Sequence, residues 1–258
     1  VSRPPFTEAE AVRRAIYLAG QTDTPLYIAH MTCREAIAEL QKAKGTGQRV
    51  SGETCTHYLT TTKEVLDNPD FNEAAKFVCS PALRDQEDCE ALWQALAGGL
   101  LTAVSSDHCG IDVAELKQAG RDDFTQIPNG SPGAGDRLHM VWTEGVCTGK
   151  LSRQKFVDVI ATQPAKINGI YPRKGTLAVG SDADIVIFDP SYEGVIRLAD
   201  NPNGVDYNLY EGRRQSGRVE TVLLRGQVVV ENAKFVGRYG QGQFIPASMY
   251  ASGYENRN

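Results

Sequence analysis

The stretch LTAVSSDHCGID, Leu101 to Asp112, is an apolar run that ends on a carboxylate and an imidazole, Asp107 and His108, with Cys109 behind them. Its apolar part does not alternate, which is the pattern of a strand covered on both faces, as in parallel sheets. Its polar end has two readings: an ordinary turn, or a metal or acid–base site at the mouth of a barrel. Working outward, Asp85 caps a predicted helix from Gln86 to Ala97, stopped by Gly98-Gly99. LYIAH (Leu26–His30), RVSGETC (Arg49–Cys55) and FVCSPALR (Phe77–Arg84) read as further short strands. Thr7-Glu8-Ala9-Glu10 has the T-x-x-E form of a capping box, ahead of a helix over Ala11–Ala19. Arg34–Lys44 reads as another helix, closed by Gly45 and Gly47.

Strand and helix thus alternate through the first half, as in an α/β fold with a parallel sheet. No G-x-G-x-x-G and no P-loop follows any of these strands, so a (β/α) barrel is preferred to a doubly wound nucleotide-binding sheet. Barrels carry their chemistry at the C-terminal ends of strands, and His30 and Asp107 both sit at such ends. A closed barrel of this type takes about eight strands, more than are found here. The expected fold is therefore the C-terminal part of a (β/α)8 TIM-type barrel. GRDDFTQIPNGSPGAG, Gly120 to Gly135, is a long loop by its Gly, Pro and Asn content. Helical patterns return over Asp136–Thr148 and Ser152–Thr162. Beyond Tyr171 short strands and tight turns take over, with one turn at Arg225-Gly226. The chain is accordingly divided into a barrel part, 1–171, and strands of a small β-sandwich with a C-terminal tail, 172–258.

A net charge of −5 leaves no basic excess to neutralise phosphates, which argues against a nucleic-acid partner. No apolar run is long enough to span a bilayer, so no membrane role is expected. The six cysteines are scattered without a C-x-x-C pair, as expected for reduced thiols in a cytoplasmic protein. The chain opens on Val1, not Met, with no strand ahead of its first helix, which reads as a truncation.

A lone histidine at a strand end is more often a hydrogen-bonded structural residue than a ligand, and a lone aspartate there is more often a turn former. His30 and Asp107 together are a sensible part of a divalent-cation site, yet too few to complete one. His57 in TCTHYL reads as a packed structural histidine. His108 either orients Asp107 or packs in its loop, and His139 reads as structural or surface. SPALR (Ser80–Arg84) and IPNG (Ile127–Gly130) are ordinary turns by composition, or else loops that aim main-chain groups at a small polar ligand.

LYIAHMT, GETCTHYL, CSPALR, SSDHC, GRDDFTQIPNGSPG, ATQPAKINGIYPRKGTLAVGSDADIVIFDP and VDYNLYEG, in this order, resemble the dihydropyrimidinase and D-hydantoinase group of cyclic amidohydrolases. The resemblance runs over nearly the whole chain. It implies a (β/α)8 barrel with a small β-sandwich, acting on a small cyclic amide. It implies two divalent metal ions, usually zinc, bridged by a carboxylated lysine and a hydroxide. By matching motifs, His30 and Asp107 would be metal ligands, and Asp107 the catalytic general base. Ser80 and Asn129 would bind the substrate ring, largely through the main chain. The family's H-x-H pair, its bridging lysine, an oxyanion-stabilising tyrosine and one more histidine have no counterpart here, so the chain is expected to be the C-terminal half of such an enzyme, inactive alone. The resemblance also implies a homotetramer built through the C-terminal region, where Gly237–Asn258 is poor in core-forming residues. An allantoinase or dihydroorotase is the sister alternative, with TCTHYL in its favour. A non-catalytic scaffold of the same fold is the other, disfavoured by the presence of His30 and Asp107. A free-standing half-barrel serving as an interaction module would expose strand edges, which makes it an aggregation hazard.

Overall fold

The computed structural model describes residues 3–248. Three short strands, β1 (Leu26–Ile28), β2 (Val50–Cys55) and β3 (Ala103–Ser105), form a parallel sheet in sequence order. β1 pairs with β2 from Leu26↔Val50, and β2 with β3 from Glu53↔Ala103. Helix α1 (Pro5–Gln21) precedes β1, and α2 (Arg34–Gly45) joins β1 to β2. Between β2 and β3 lie α3 (Thr56–Thr60), α4 (Phe71–Ala75) and α5 (Gln86–Ala97).

The two faces of the sheet differ sharply. On one, Gly52 leaves room for its neighbours: a Cβ there would lie 2.6 Å from Met31 Sδ and 3.1 Å from Leu40. This face packs under α2 and α5, whose Leu40, Leu92 and Leu96 are fully buried. Each such side chain contributes about 1.5–3 kcal/mol by leaving water. On the other face, Tyr27 Oη (2.6 Å) and Ser105 Oγ (2.8 Å) both donate to the carboxylate of Glu53. One acid thereby straps all three strands together.

Two expectations are corrected. Helix α1 starts at Pro5 behind Pro4, without a side-chain cap, so Thr7 and Glu10 lie inside it and form no capping box. Proline at the first helical position needs no N–H partner, and Glu10 is free to pair with Arg14 at 3.0 Å. Phe77–Arg84 is not a strand. Its main-chain carbonyls bond to a loop and to side chains instead: Val78 O accepts from Gly130 N (3.0 Å), and Pro81 O from Tyr58 Oη (2.8 Å). Asp85 does precede α5, but its carboxylate meets Lys63 (2.7 Å) rather than capping.

After the long loop, α6 (Arg137–Val141) runs on into a π turn over Trp142–Val146. The wide turn is marked by the Cys147 N–H reaching Trp142 O at 3.0 Å. Likewise α7 (Arg153–Val157) continues through Asp158–Thr162 into α8 (Gln163–Ile167). A four-stranded antiparallel sheet follows: β4 (Ile185–Val195), β5 (Arg214–Leu224), β6 (Gln227–Glu231) and β7 (Lys234–Phe235). Its hairpins turn at Arg225-Gly226 and Asn232-Ala233, where both central residues of each have positive φ, the turn whose twist suits a hairpin. The sheet is hooked to α6 and its π turn by Thr143, which bonds both ways with the Ser216 main chain, and by Arg213, which reaches Glu144 (2.8 Å) and Thr60 O (3.0 Å). In the tail, Ser248 N donates to Gly169 O at 2.9 Å. The rest of the expected oligomerising segment, 249–258, lies outside the described residues.

Candidate active site

Parallel strands deliver their C-terminal ends side by side. Here each end carries an imidazole or a carboxylate at the same offset: His30, His57 and Asp107 are each the second residue past β1, β2 and β3. His30 (φ 41°) and Asp107 (φ 45°) both adopt the left-handed conformation. For non-glycine residues that conformation costs about 1–3 kcal/mol, and such residues gather at functional sites when their surroundings hold them.

The surroundings of both are well tied. After His30, Met31 N donates to Glu53 O (2.8 Å) and Met31 O accepts from Thr54 Oγ1 (2.8 Å). Thr32 N donates to Glu8 Oε1 at 2.7 Å, Thr32 Oγ1 bonds the same carboxylate, and Arg84 Nε donates to Thr32 Oγ1 at 2.9 Å. Arg84 completes the network on Glu8 at 3.1 Å, and both are largely buried. After Asp107, Cys109 N donates to Ser131 O (3.0 Å), and His108 Nδ1 accepts from Gly133 N (3.3 Å). His108 is thus turned to the loop at 131–133 and not to Asp107. His139 accepts from Val219 N at 3.4 Å and ties α6 to β5, a structural role.

His57 is buried, and its Nε2 has no hydrogen-bond partner among the described residues. Burial first, then the neighbouring His30, pushes its pKa down to about 4, so the ring is neutral at neutral pH. Its ring stacks at a tilt on Tyr58, centroids 4.1 Å apart. The packed structural role read from the sequence is thus met, but beside His30 and with an orphaned nitrogen. Burial raises the Cys79 thiol, and the charge of Asp107 acts in the same direction.

Ser80 and Asn129 are exposed, on segments joined by the Gly130 N–Val78 O bond. Asn129 Oδ1 also accepts from Arg3 at 3.3 Å. Sequence reasoning missed Lys117, which lies behind both segments and is fully buried. Nothing in AELKQAG marks it, since its contacts are with residues remote in the chain.

His30 and Asp107 suit a hard-to-borderline divalent cation in donor type, imidazole with carboxylate. Among the described residues, no three His, Cys, Asp or Glu side chains converge as a metal-binding group. The pair therefore fits as part of a ligand set, short of the three protein ligands of a catalytic zinc site.

The chain belongs to the amidohydrolase family, whose sequence model matches residues 22–229. Within that family, it is similar to hydantoinases and dihydropyrimidinases, in line with the resemblance carried by its motifs. It is 48% identical to the D-hydantoinase of Ralstonia pickettii over 97% of this chain and 54% of the relative. It is 41% identical to the dihydropyrimidinase of Arabidopsis thaliana over 97% of this chain and 47% of the relative. The crystal structure of dihydropyrimidinase from Brevibacillus agri superposes with a TM-score of 0.94 at 45% identity, covering 96% of this chain and 54% of that one. The chain thus spans about half the length of the relatives it matches. Members of the family typically depend on divalent metal ions. Among the described residues no helix is long and apolar enough to cross a membrane.

Proposed function

We propose that the protein carrying this chain hydrolyses the cyclic amide bond of dihydropyrimidines or hydantoins. The observation that carries this reading is the placement of His30 and Asp107 past the ends of β1 and β3, on either side of β2 in one parallel sheet, in a chain matched almost throughout by hydantoinases. The chain supplies the C-terminal part of the TIM-type barrel and strands of the small sandwich, divided near residues 171–172. The remaining metal ligands and the bridging lysine come from outside it. The protein works in the cytoplasm, a reading supported by free thiols throughout the described residues, and assembles as a homotetramer through its C-terminal region.

A ring amide is a poor electrophile because resonance feeds its carbonyl. Two divalent ions, zinc by the family's habit, would when bound supply a hydroxide near neutral pH and polarise that carbonyl. His30 would hold one ion through a ring-nitrogen lone pair. Asp107 is both ligand and general base: its carboxylate takes the proton of the attacking nucleophile as the C–O bond forms. It returns that proton to the ring nitrogen as the C–N bond breaks. Main-chain groups at Ser80 and Asn129 hold the ring in register. In the complete protein Asp107→Asn is expected to lower kcat by about a thousandfold with little change in KM. Near-normal turnover would overturn the assignment.

A further inference from the structure

We propose that Lys117 is a positioning residue: its ammonium fixes the segment bearing Ser80 against the segment bearing Asn129 and so sets the width of the substrate-ring site. The proposal rests on the reading of Ser80 and Asn129 as ring-binding residues and deepens it. Lys117 Nζ donates to Ala75 O at 2.7 Å, Gly130 O at 2.8 Å and Val78 O at 3.3 Å. An ammonium has three N–H groups and no acceptor, so these three carbonyls exhaust it. One lies at the end of α4, one lies two residues before Ser80, and one directly follows Asn129.

A lysine is an expensive way to fill space. It is fully buried and forms no ion pair among the described residues, and the Tyr207 ring lies 5.9 Å from its ammonium. Burial pushes its pKa down to about 8. An apolar side chain of similar volume would avoid the penalty. What it could not do is converge three donors on carbonyls from two separate loops. The strap is also doubled around it: Gly130 N bonds Val78 O (3.0 Å), and Ser131 Oγ bonds Lys76 O (2.7 Å). Neither loop shifts against the other without breaking these bonds, so the spacing of the main-chain groups next to Ser80 and Asn129 is set at Lys117.

Lys117→Met keeps the aliphatic stem and removes the donors. Lys117→Arg keeps the charge but replaces three convergent donors with a planar fork. In the complete, metal-loaded protein both are expected to raise KM for a cyclic amide about tenfold or more, with kcat per metal-loaded site changed less than threefold. A merely structural residue would lower the unfolding midpoint and the active fraction while leaving KM at the wild-type value, and that result would overturn the proposal. Asp107→Asn is run alongside. If it retains turnover, the reaction assignment fails; if it is inactive while KM is unchanged in the Lys117 variants, only the Lys117 proposal fails. Should neither Lys117 variant fold, amide hydrogen exchange of the wild-type protein decides: residues 76–80 and 127–131 are expected to open together, and independent opening would overturn the coupling.

Discussion

Acidification is expected to destabilise this protein in part through His57. In the folded chain its pKa is about 4, against 6.5 for an unperturbed histidine. The unfolded chain therefore takes up the proton first as pH falls, and the folded state loses ground across the window between the two values. The stability at stake is fully present above about pH 6.5 and gone below about pH 4. At 1.36 kcal/mol per pKa unit the whole difference is about 3 kcal/mol, of which about 2 kcal/mol is lost between pH 7 and pH 4.5. His57→Gln keeps a polar planar side chain without a titrating ring. Urea unfolding of wild type and variant at pH 7 and pH 4.5, with slopes compared to confirm the same transition, reads out the difference. His139, whose pKa burial also lowers, and Asp136, whose pKa burial raises, titrate in both proteins and cancel in the comparison. Wild type is expected to lose about 2 kcal/mol more than the variant. Equal losses would show that the His57 ring is not held neutral by burial, and the reasoning would fall.

Two further outcomes follow from the packing. Arg84→Met leaves the Glu8 carboxylate and the Thr32 hydroxyl buried without their cation and should cost about 3–5 kcal/mol in chemical denaturation. Gly52→Ala drives a methyl group to 2.6 Å from Met31 Sδ. It should cost about 1–3 kcal/mol, measured as a lowered unfolding midpoint.

The α/β alternation is legible because a short unalternating apolar run set between helix signals is too brief for a helix and too apolar for a surface loop. Val50–Cys55 and Ala103–Ser105 fall inside the segments that read as strands. The same pattern misleads at Phe77–Arg84. Apolar content announces burial, and this segment is buried in part, but its backbone partners are a loop and the Tyr58 hydroxyl, not a neighbouring strand. The capping-box pattern misleads because Pro4-Pro5 starts the helix two residues before Thr7. His30 and Asp107 are legible as strand-end residues. His57 stands at the equivalent place past β2, whose end at Cys55 is also legible, but its setting in TCTHYL, which α3 occupies from Thr56, reads as packing and not as a strand-end site.

What stays invisible has a common form. Glu8 reaches Thr32 and Arg84, Glu53 reaches Tyr27 and Ser105, and Lys117 reaches Ala75, Val78 and Gly130. Each is a charged residue that composition assigns to the surface, and each ends on the strands or strand-end loops that carry the candidate site. Local patterns report which face of a segment is apolar; they carry no information about a polar atom's partner dozens of residues away. Apolar packing under α2 and α5 fixes where the sheet lies, but it is non-directional and tolerates small shifts. A left-handed His30 and a left-handed Asp107 need their backbones held to a fraction of an ångström, and that demands directional bonds. Buried charges at this end of the sheet are therefore what the chemistry of a strand-end site requires, and their unfavourable burial is the reason no sequence rule for the core would have placed them there.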